Sequence, residues 1–158
     1  MVSINAIKEK LWLISIIAGI LGIITIFTPV WGYLYGSYFG AGWLWALYIE
    51  NGEPSLIPFD EPIVPLGIAT MLIIAVGACL LLVGGILAKK RDKGINLFYL
   101  IGGILPLVGI IIYMAGVASF YSGWWTFYSV HVGTILAYIA GGLGITAGVI
   151  GIMEKRKS

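Results

Sequence analysis

IVPLGIATMLIIAVGACLLLVGGILAKKRDK, residues 63–93, decides the class of this protein. An uncharged apolar run from Ile63 to Ala88 ends in Lys89, Lys90, Arg91, Asp92 and Lys93. About 20 apolar residues cross the hydrocarbon layer of a bilayer. Working outward, all nine Lys and Arg residues lie outside four long apolar runs. Lys8 and Lys10 precede the first run, the KKRDK cluster separates the second from the third, and Lys155, Arg156 and Lys157 follow the fourth. The other two connections hold no Lys or Arg; one carries Glu50, Glu53, Asp60 and Glu61, the other no charge. Cytoplasmic loops collect Lys and Arg. The pattern therefore predicts an integral, multi-pass protein of the plasma or cytoplasmic membrane. Its N- and C-termini are cytoplasmic and its two aromatic loops lie outside.

Composition agrees. The chain of 158 residues is 60% hydrophobic and 10% charged, against about 25% charged residues in soluble domains. Its mean hydropathy is +1.04. A soluble chain of this size has no means of hiding so much apolar surface. The outer loops sum to −4, and the cytoplasmic segments to +6, counting nine basic residues against Glu9, Asp92 and Glu154. A basic inner rim suits anionic inner-leaflet lipid, so the lipid bilayer is the first partner. Nucleic acid is excluded as a partner, because the positive charge sits in short juxtamembrane clusters.

The expected fold class is all-α integral membrane: a four-transmembrane-helix bundle with a small extracellular β-hairpin-like first loop. Residues 1–158 form one membrane domain, with spans at about 11–30, 63–88, 95–117 and 130–153 and outer loops at about 31–62 and 118–129. No span holds Asp, Glu, Lys or Arg. Intramembrane ionisable residues mark proton relays and ion pathways, and their absence argues against such a machine. In the fourth span Gly133, Ala137, Gly141, Gly144, Gly148 and Gly151 fall near one helical face. Small residues at such spacings let helix backbones approach closely in lipid, so this face is the expected helix-packing or oligomer interface. It either holds the bundle together or recruits a partner helix or a second copy. Pro106, mid-span in the third helix, is the expected kink or hinge.

The first outer loop alternates Trp31, Tyr33, Tyr35 and then Trp43, Trp45, Leu47, Ile49. Period two is the strand signature. With Gly40-Ala41-Gly42 as the turn, it predicts a hairpin from about Trp31 to Ile49. A short amphipathic helix over 42–49 is the rival. The second loop adds Phe120, Tyr121, Trp124, Trp125, Phe127 and Tyr128. Aromatic residues are enriched at protein interfaces. The two loops together make an aromatic, acidic cap, and Trp31, Tyr33, Trp43, Trp45, Trp124 and Trp125 are the expected contact surface. The alternative is an interfacial belt with internal packing. His131, the only histidine, stands at the outer mouth of the fourth span, either as a partner for Glu50, Asp60 or Glu61 or as a satisfied interface residue. Cys79, the only cysteine, lies inside an apolar run, so no internal disulfide is possible.

Trp31 followed by Gly42-Trp43-Leu44-Trp45 resembles the Trp and Gly-Leu-Trp motif in the first outer loop of the claudin and peripheral-myelin-protein-like tetraspan group. The long, strand-like first loop and the short second one are similar as well. The departures are an inserted Trp and the absence of the family's loop cysteine pair. The resemblance implies lateral self-association and outer-loop contacts.

No catalytic, cofactor or metal constellation is visible. Such chemistry needs clustered His, Cys or carboxylates, and Glu50, Glu53, Asp60 and Glu61 lack a Ca²⁺-loop spacing. The expected function is a non-enzymatic membrane scaffold or interaction protein. It assembles with itself or with other membrane proteins through small-residue helix faces, and contacts partners through the cap. One alternative is an accessory subunit of a larger membrane complex. Another is a channel or transporter for a small neutral molecule, with Thr25, Thr28, Thr70, Thr134 and Thr146 as polar lining.

Overall fold

The computed structural model describes residues 10–35, 37–91 and 96–155. Lys8, Lys93, Arg156 and Lys157 of the basic clusters, with Glu9, Asp92 and Ile95, lie outside the described residues. Along the chain run α1 (Leu11–Phe27), β1 (Trp31–Tyr35), β2 (Tyr38–Gly42), β3 (Leu47–Glu50), β4 (Glu53–Leu56), α2 (Ile63–Arg91) and α3 (Asn96–Phe120). A short helix α4 (Trp124–Phe127), a short strand β5 (Ser129–Val130) and α5 (Val132–Lys155) follow.

The all-α, four-transmembrane-helix class expected from the sequence is corrected here. The strands form a five-stranded antiparallel sheet in the order β4-β3-β2-β1-β5. Among the described residues, three helices are long and apolar enough to cross a membrane: Ile63–Lys89, Asn96–Phe120 and Val132–Met153. The first apolar run yields only the 17 residues of α1. It stops at Phe27 because Thr28 precedes Pro29, and a residue before proline is driven out of the helical region; Thr28 is extended, at φ −110° and ψ 149°. At about 1.5 Å per residue α1 covers about 26 Å, short of the roughly 30 Å of bilayer hydrocarbon.

The hairpin expectation is corrected too. Gly40-Ala41-Gly42 is not a turn but the second half of β2, and Trp43 and Trp45 lie in the connection to β3. No helix forms over 42–49. The tight turn is Asn51-Gly52, both at positive φ (49° and 89°) between β3 and β4. Two consecutive residues at positive φ make a type I′ turn, whose twist matches that of the flanking strands.

The three long helices and the shorter α1 pack in a ring, α1 and α3 each against both α2 and α5. Apolar side chains gain little by leaving lipid for protein, so close backbone approach has to supply the contact energy. Glycine supplies that approach. A Cβ at Gly103 of α3 would lie 2.7 Å from the carbonyl carbon of Gly144 and 2.8 Å from the Gly141 oxygen of α5. Gly148 meets Leu100, Gly151 meets Asn96, and Gly133 meets the Thr28 and Pro29 carbonyls. Ala137, Ala140 and Ala147 are fully buried. The fourth-span small residues are thus a packing interface inside the chain, while Gly142, off that face, meets nothing within 4 Å.

Pro106 lies inside α3 and is buried. It has no N–H for the Gly102 carbonyl, and that carbonyl lies against Gly77 of α2, 2.9 Å from where a Cβ would sit. The five threonines all turn to carbonyls: Thr25 to Leu21, Thr28 to Ile24, Thr70 to Gly109, Thr134 to Val30 and Thr146 to Gly142, at 2.7–3.4 Å. None is left as the uncommitted lining of a polar path.

The start of α1 and the end of α2 meet, with Lys89 Nζ 4.8 Å above the Trp12 ring. The start of α3 meets the end of α5 at Asn96 and Gly151. The basic-flanked helix ends therefore share one end of the molecule, and the sheet caps the other.

Replacing Gly103 by Leu should destabilise the fold by about 3 kcal/mol or more, since only backbone stands in the way of the new side chain. Gly142→Leu should stay within about 0.5 kcal/mol. Unfolding of the two variants in the same detergent is the check; equal losses would refute this seam as the contact that orders α3 and α5.

Candidate functional site

Strand register builds the cap. In an antiparallel sheet, residues directly opposite one another share a face. Trp31 faces Gly42, and Gly42 faces Tyr48; Tyr33 faces Gly40, and Gly40 faces Glu50. Each row thus carries a glycine on the central strand β2. A Cβ at Gly42 would collide with the Trp31 ring, and one at Gly40 with the Tyr33 ring. These glycines let β1 aromatics lie across β2 and reach β3. Trp31 stacks toward Tyr48 at 6.4 Å, and the Tyr33 hydroxyl donates to Glu50 Oε1 at 2.6 Å. The Tyr48 hydroxyl donates to the other oxygen, Oε2.

The second connection closes the site from the opposite side. Gly123, in the left-handed region at φ 77°, starts α4. Trp124 and Tyr128 stack at 4.0 Å, and Trp31 meets both edge-on at 5.2 Å. Such edge-to-face pairs are favoured by the ring quadrupole. Tyr121 packs on Trp124 and donates its hydroxyl to Glu61 Oε2 at 2.6 Å. Between the sheet and this segment lies an open cleft of about 340 Å³. Aromatic rings from both segments wall it, and Glu50, Glu61, Ile57, Pro58 and Ile63 also line it.

The six aromatics expected as a contact surface divide by role. Trp31, Tyr33 and Trp124 come together in the cleft. Trp43 and Trp45 instead donate their indole N–H groups to the carbonyls of Phe27 and Ile26, at 3.0 and 3.1 Å. Those are two of the carbonyls that a helix C-terminus leaves without an intrahelical partner. Trp125 donates to the Met114 carbonyl inside α3 at 3.3 Å. By contrast, the buried indole nitrogens of Trp31 and Trp124 have no hydrogen-bond partner. Trp31 and Trp124 are held by ring contacts, where Trp43, Trp45 and Trp125 are held by their indole hydrogen bonds. Pro106 and the fourth-span glycines lie away from the cleft, between helices.

His131 makes none of the carboxylate pairs considered for it. It borders a separate groove with Gly32, Phe39 and Ser129, and its Nδ1 is buried without a partner. Cys79 is exposed on α2.

Sequence reasoning did not single out Tyr48, Glu50, Glu61, Tyr121 and Tyr128 as one site. The signal for Tyr48 and Glu50 was the Asn51-Gly52 turn. A two-residue turn pairs Glu50 with Glu53, and that register puts Tyr48 and Glu50 on one face.

The phenol hydrogen bonds from Tyr33 and then Tyr48 hold the Glu50 carboxyl below the usual glutamate range. The same bonds, chiefly, push Tyr33 and Tyr48 from 10.0 up to about 12. Burial, and then its bond to Glu61, raises Tyr121 to about 12. No protein-family model matches this chain, and no curated protein is significantly similar to it.

Two outcomes follow from this geometry. The Glu50 contribution to cap stability should be full above the usual glutamate pKa and lost as pH falls through its lowered value. The tyrosine contributions should be full below pH 10 and lost as pH rises through about 12. In Glu50→Gln, phenolate absorbance should show two tyrosines titrating closer to 10.0, and an unchanged alkaline titration would refute the pairing. Separately, Trp45→Phe should lower thermal stability by about 1 kcal/mol through the lost cap bond, and exchange of the amide hydrogens in the last turn of α1 should quicken. Unaltered exchange there would show that Trp45 does not hold that helix end.

Proposed function

We propose that this chain is a non-enzymatic integral membrane protein that meets its partners through the aromatic, acidic cleft of the sheet cap. The observation that carries the reading is that cleft. It is open and built from two distant segments, with Trp31 and Trp124 in its wall, whereas Trp43 and Trp45 cap the end of α1 and Trp125 donates to a carbonyl within α3. Interface hot spots concentrate in such aromatic anchors.

In this reading the protein is multi-pass. The basic helix ends, and with them both termini, face the cytoplasm by the positive-inside bias, and the cap faces outward. Lys10 and Lys89 stand at the one end, Glu50 and Glu61 at the other. Kinship with the claudin and peripheral-myelin-protein-like group belongs to the same proposal. It is supported by the strand-forming segment after α1 and by Trp31 with Gly42-Trp43-Leu44-Trp45, and the group's loop cysteine pair has no counterpart. Lateral assembly, with a second copy or with other membrane proteins, is also proposed. Its surface is not the fourth-span glycine seam, which is filled by α3.

A photo-reactive residue at Leu56, exposed on the cleft rim, should give a discrete adduct in native membranes. The same residue at Met153, exposed at the basic end, should not. Mass spectrometry of the adduct then tells a second copy from a foreign subunit. A strictly monomeric protein that gives no adduct from Leu56 would end this reading.

A further inference from the structure

We propose that the cleft binds an alkylated ammonium group of the choline type. The inference rests on the reading of the cleft as the recognition site, and it names the chemistry recognised there.

The walls come first. Trp31, Tyr33, Tyr48, Tyr121, Trp124 and Tyr128 all border the one cleft. They come from β1, β3 and the segment between α3 and β5, so the rings enclose the space from different sides. Several meet at nearly right angles: 82° and 84° for Trp31 on Trp124 and Tyr128, and 88° for Tyr33 on Tyr128. The wall of the cleft combines these edge-to-face contacts with a face-to-face stack of Trp124 on Tyr128 at 4.0 Å. The negative face of an aromatic ring attracts cations, and an aromatic box is the usual receptor for a quaternary ammonium, which has no N–H to satisfy.

Charge has the same sign throughout. Glu50 and Glu61 border the cleft, and no Lys or Arg occurs anywhere in residues 11–88 or 94–154. Neither carboxylate therefore has a Lys or Arg of this end of the molecule to neutralise it, and His131 borders a separate groove. Glu50 accepts from two tyrosines and Glu61 from one, which holds both carboxylates in place.

The same bonds argue against a metal ion. Calcium takes six to eight oxygen ligands. Here both oxygens of Glu50 already accept phenol hydrogens, and among the described residues no group of three His, Cys, Asp or Glu is placed to hold a metal. A diffuse organic cation needs only the field of the carboxylates and the ring faces. A cleft of about 340 Å³ admits a trimethylammonium head and leaves an open side for whatever it is attached to.

Two sources share this chemistry, a free choline-like solute and the headgroup of a choline lipid. Ile63, the first residue of α2, lines the cleft, so the site borders the helix ends. Headgroups lie at that level.

The test is calorimetric titration of the full chain in nanodiscs of phosphatidylglycerol, with empty discs subtracted. Choline should bind saturably, and its uncharged carbon isostere at least about tenfold more weakly. Glu50→Gln and Glu61→Gln, both at exposed positions, should each weaken choline about threefold to tenfold and leave the isostere unaffected. In phosphatidylcholine discs, loss of the choline signal identifies the lipid headgroup as occupant, and its persistence identifies a free solute; both outcomes support the ammonium site. Absence of choline binding, or equal binding of the isostere, overturns it, and the isostere comparison needs no variant to fold. Leu56 crosslinking keeps the two proposals apart. An adduct without choline binding removes this inference alone, whereas choline binding without an adduct removes the macromolecular partner.

Discussion

The structure depends on one constraint: inside an apolar layer, each backbone N–H and C=O must find its partner within the protein. Helices meet it along their length and fail at their ends. Here the cap serves the ends. The C-terminal carbonyls of α1 at Ile26 and Phe27 receive the indoles of Trp45 and Trp43, and Val30 receives the Thr134 hydroxyl at 2.8 Å. Within the ring of helices the Ser15 hydroxyl donates to the Leu81 carbonyl at 2.7 Å, and the carbonyl that Pro106 leaves without its usual donor sits against Gly77. The sheet and the helices are one structure for this reason. They also share a core, since Val30, Trp31 and Leu44 are buried together with Ile74, Ile110 and Tyr113.

Glycine does two unrelated jobs in this chain, both by lacking a Cβ. Between helices it brings backbone to backbone, as at Gly103 and Gly144. In the sheet it makes room for rings, as at Gly40 under Tyr33 and Gly42 under Trp31. The two uses meet at Gly67 of α2, where the Leu44 carbonyl of the β2–β3 connection docks so closely that no side chain fits. Ala46, at φ 68°, bends the chain just beyond that contact. Cap position over the helices thus involves a backbone contact that no side chain at residue 67 would allow.

The two ends of the molecule differ in chemistry. The basic end keeps its charges on long side chains, one of them lying over Trp12. The cap end has short, oriented carboxylates braced by tyrosines, among rings contributed by segments about ninety residues apart in sequence. Bracing of this kind lowers the ordering cost of binding, because the groups are already in place.

Much of this was legible in the residues. Apolar runs bounded by Lys and Arg located α2, α3 and α5 to within a few positions, because a membrane-length helix needs only hydrophobicity and length. The small-residue face of α5 was legible as a packing face for the same local reason. The extent of α1 was misjudged, since the Thr28-Pro29 step was read as a continuation of the span. The sheet was misread where glycine was taken for a turn. Gly40 and Gly42 owe their place to rings on the neighbouring strand, a non-local cause that no local pattern encodes. The cleft lay furthest from view. Glu50 and Glu61 look like solvated loop charges until register and helix packing bring Tyr33, Tyr48 and Tyr121 onto them. The sequence by itself determined what is set by composition and short-range periodicity: which segments are apolar helices, where the basic residues gather and which stretch is extended. Only the tertiary structure decided what depends on contacts between distant segments. It fixed the inward face of the glycine seam, the parting of Trp43 and Trp45 as helix caps from Trp31 and Trp124 as cleft walls, and the meeting of two carboxylates with six aromatic rings.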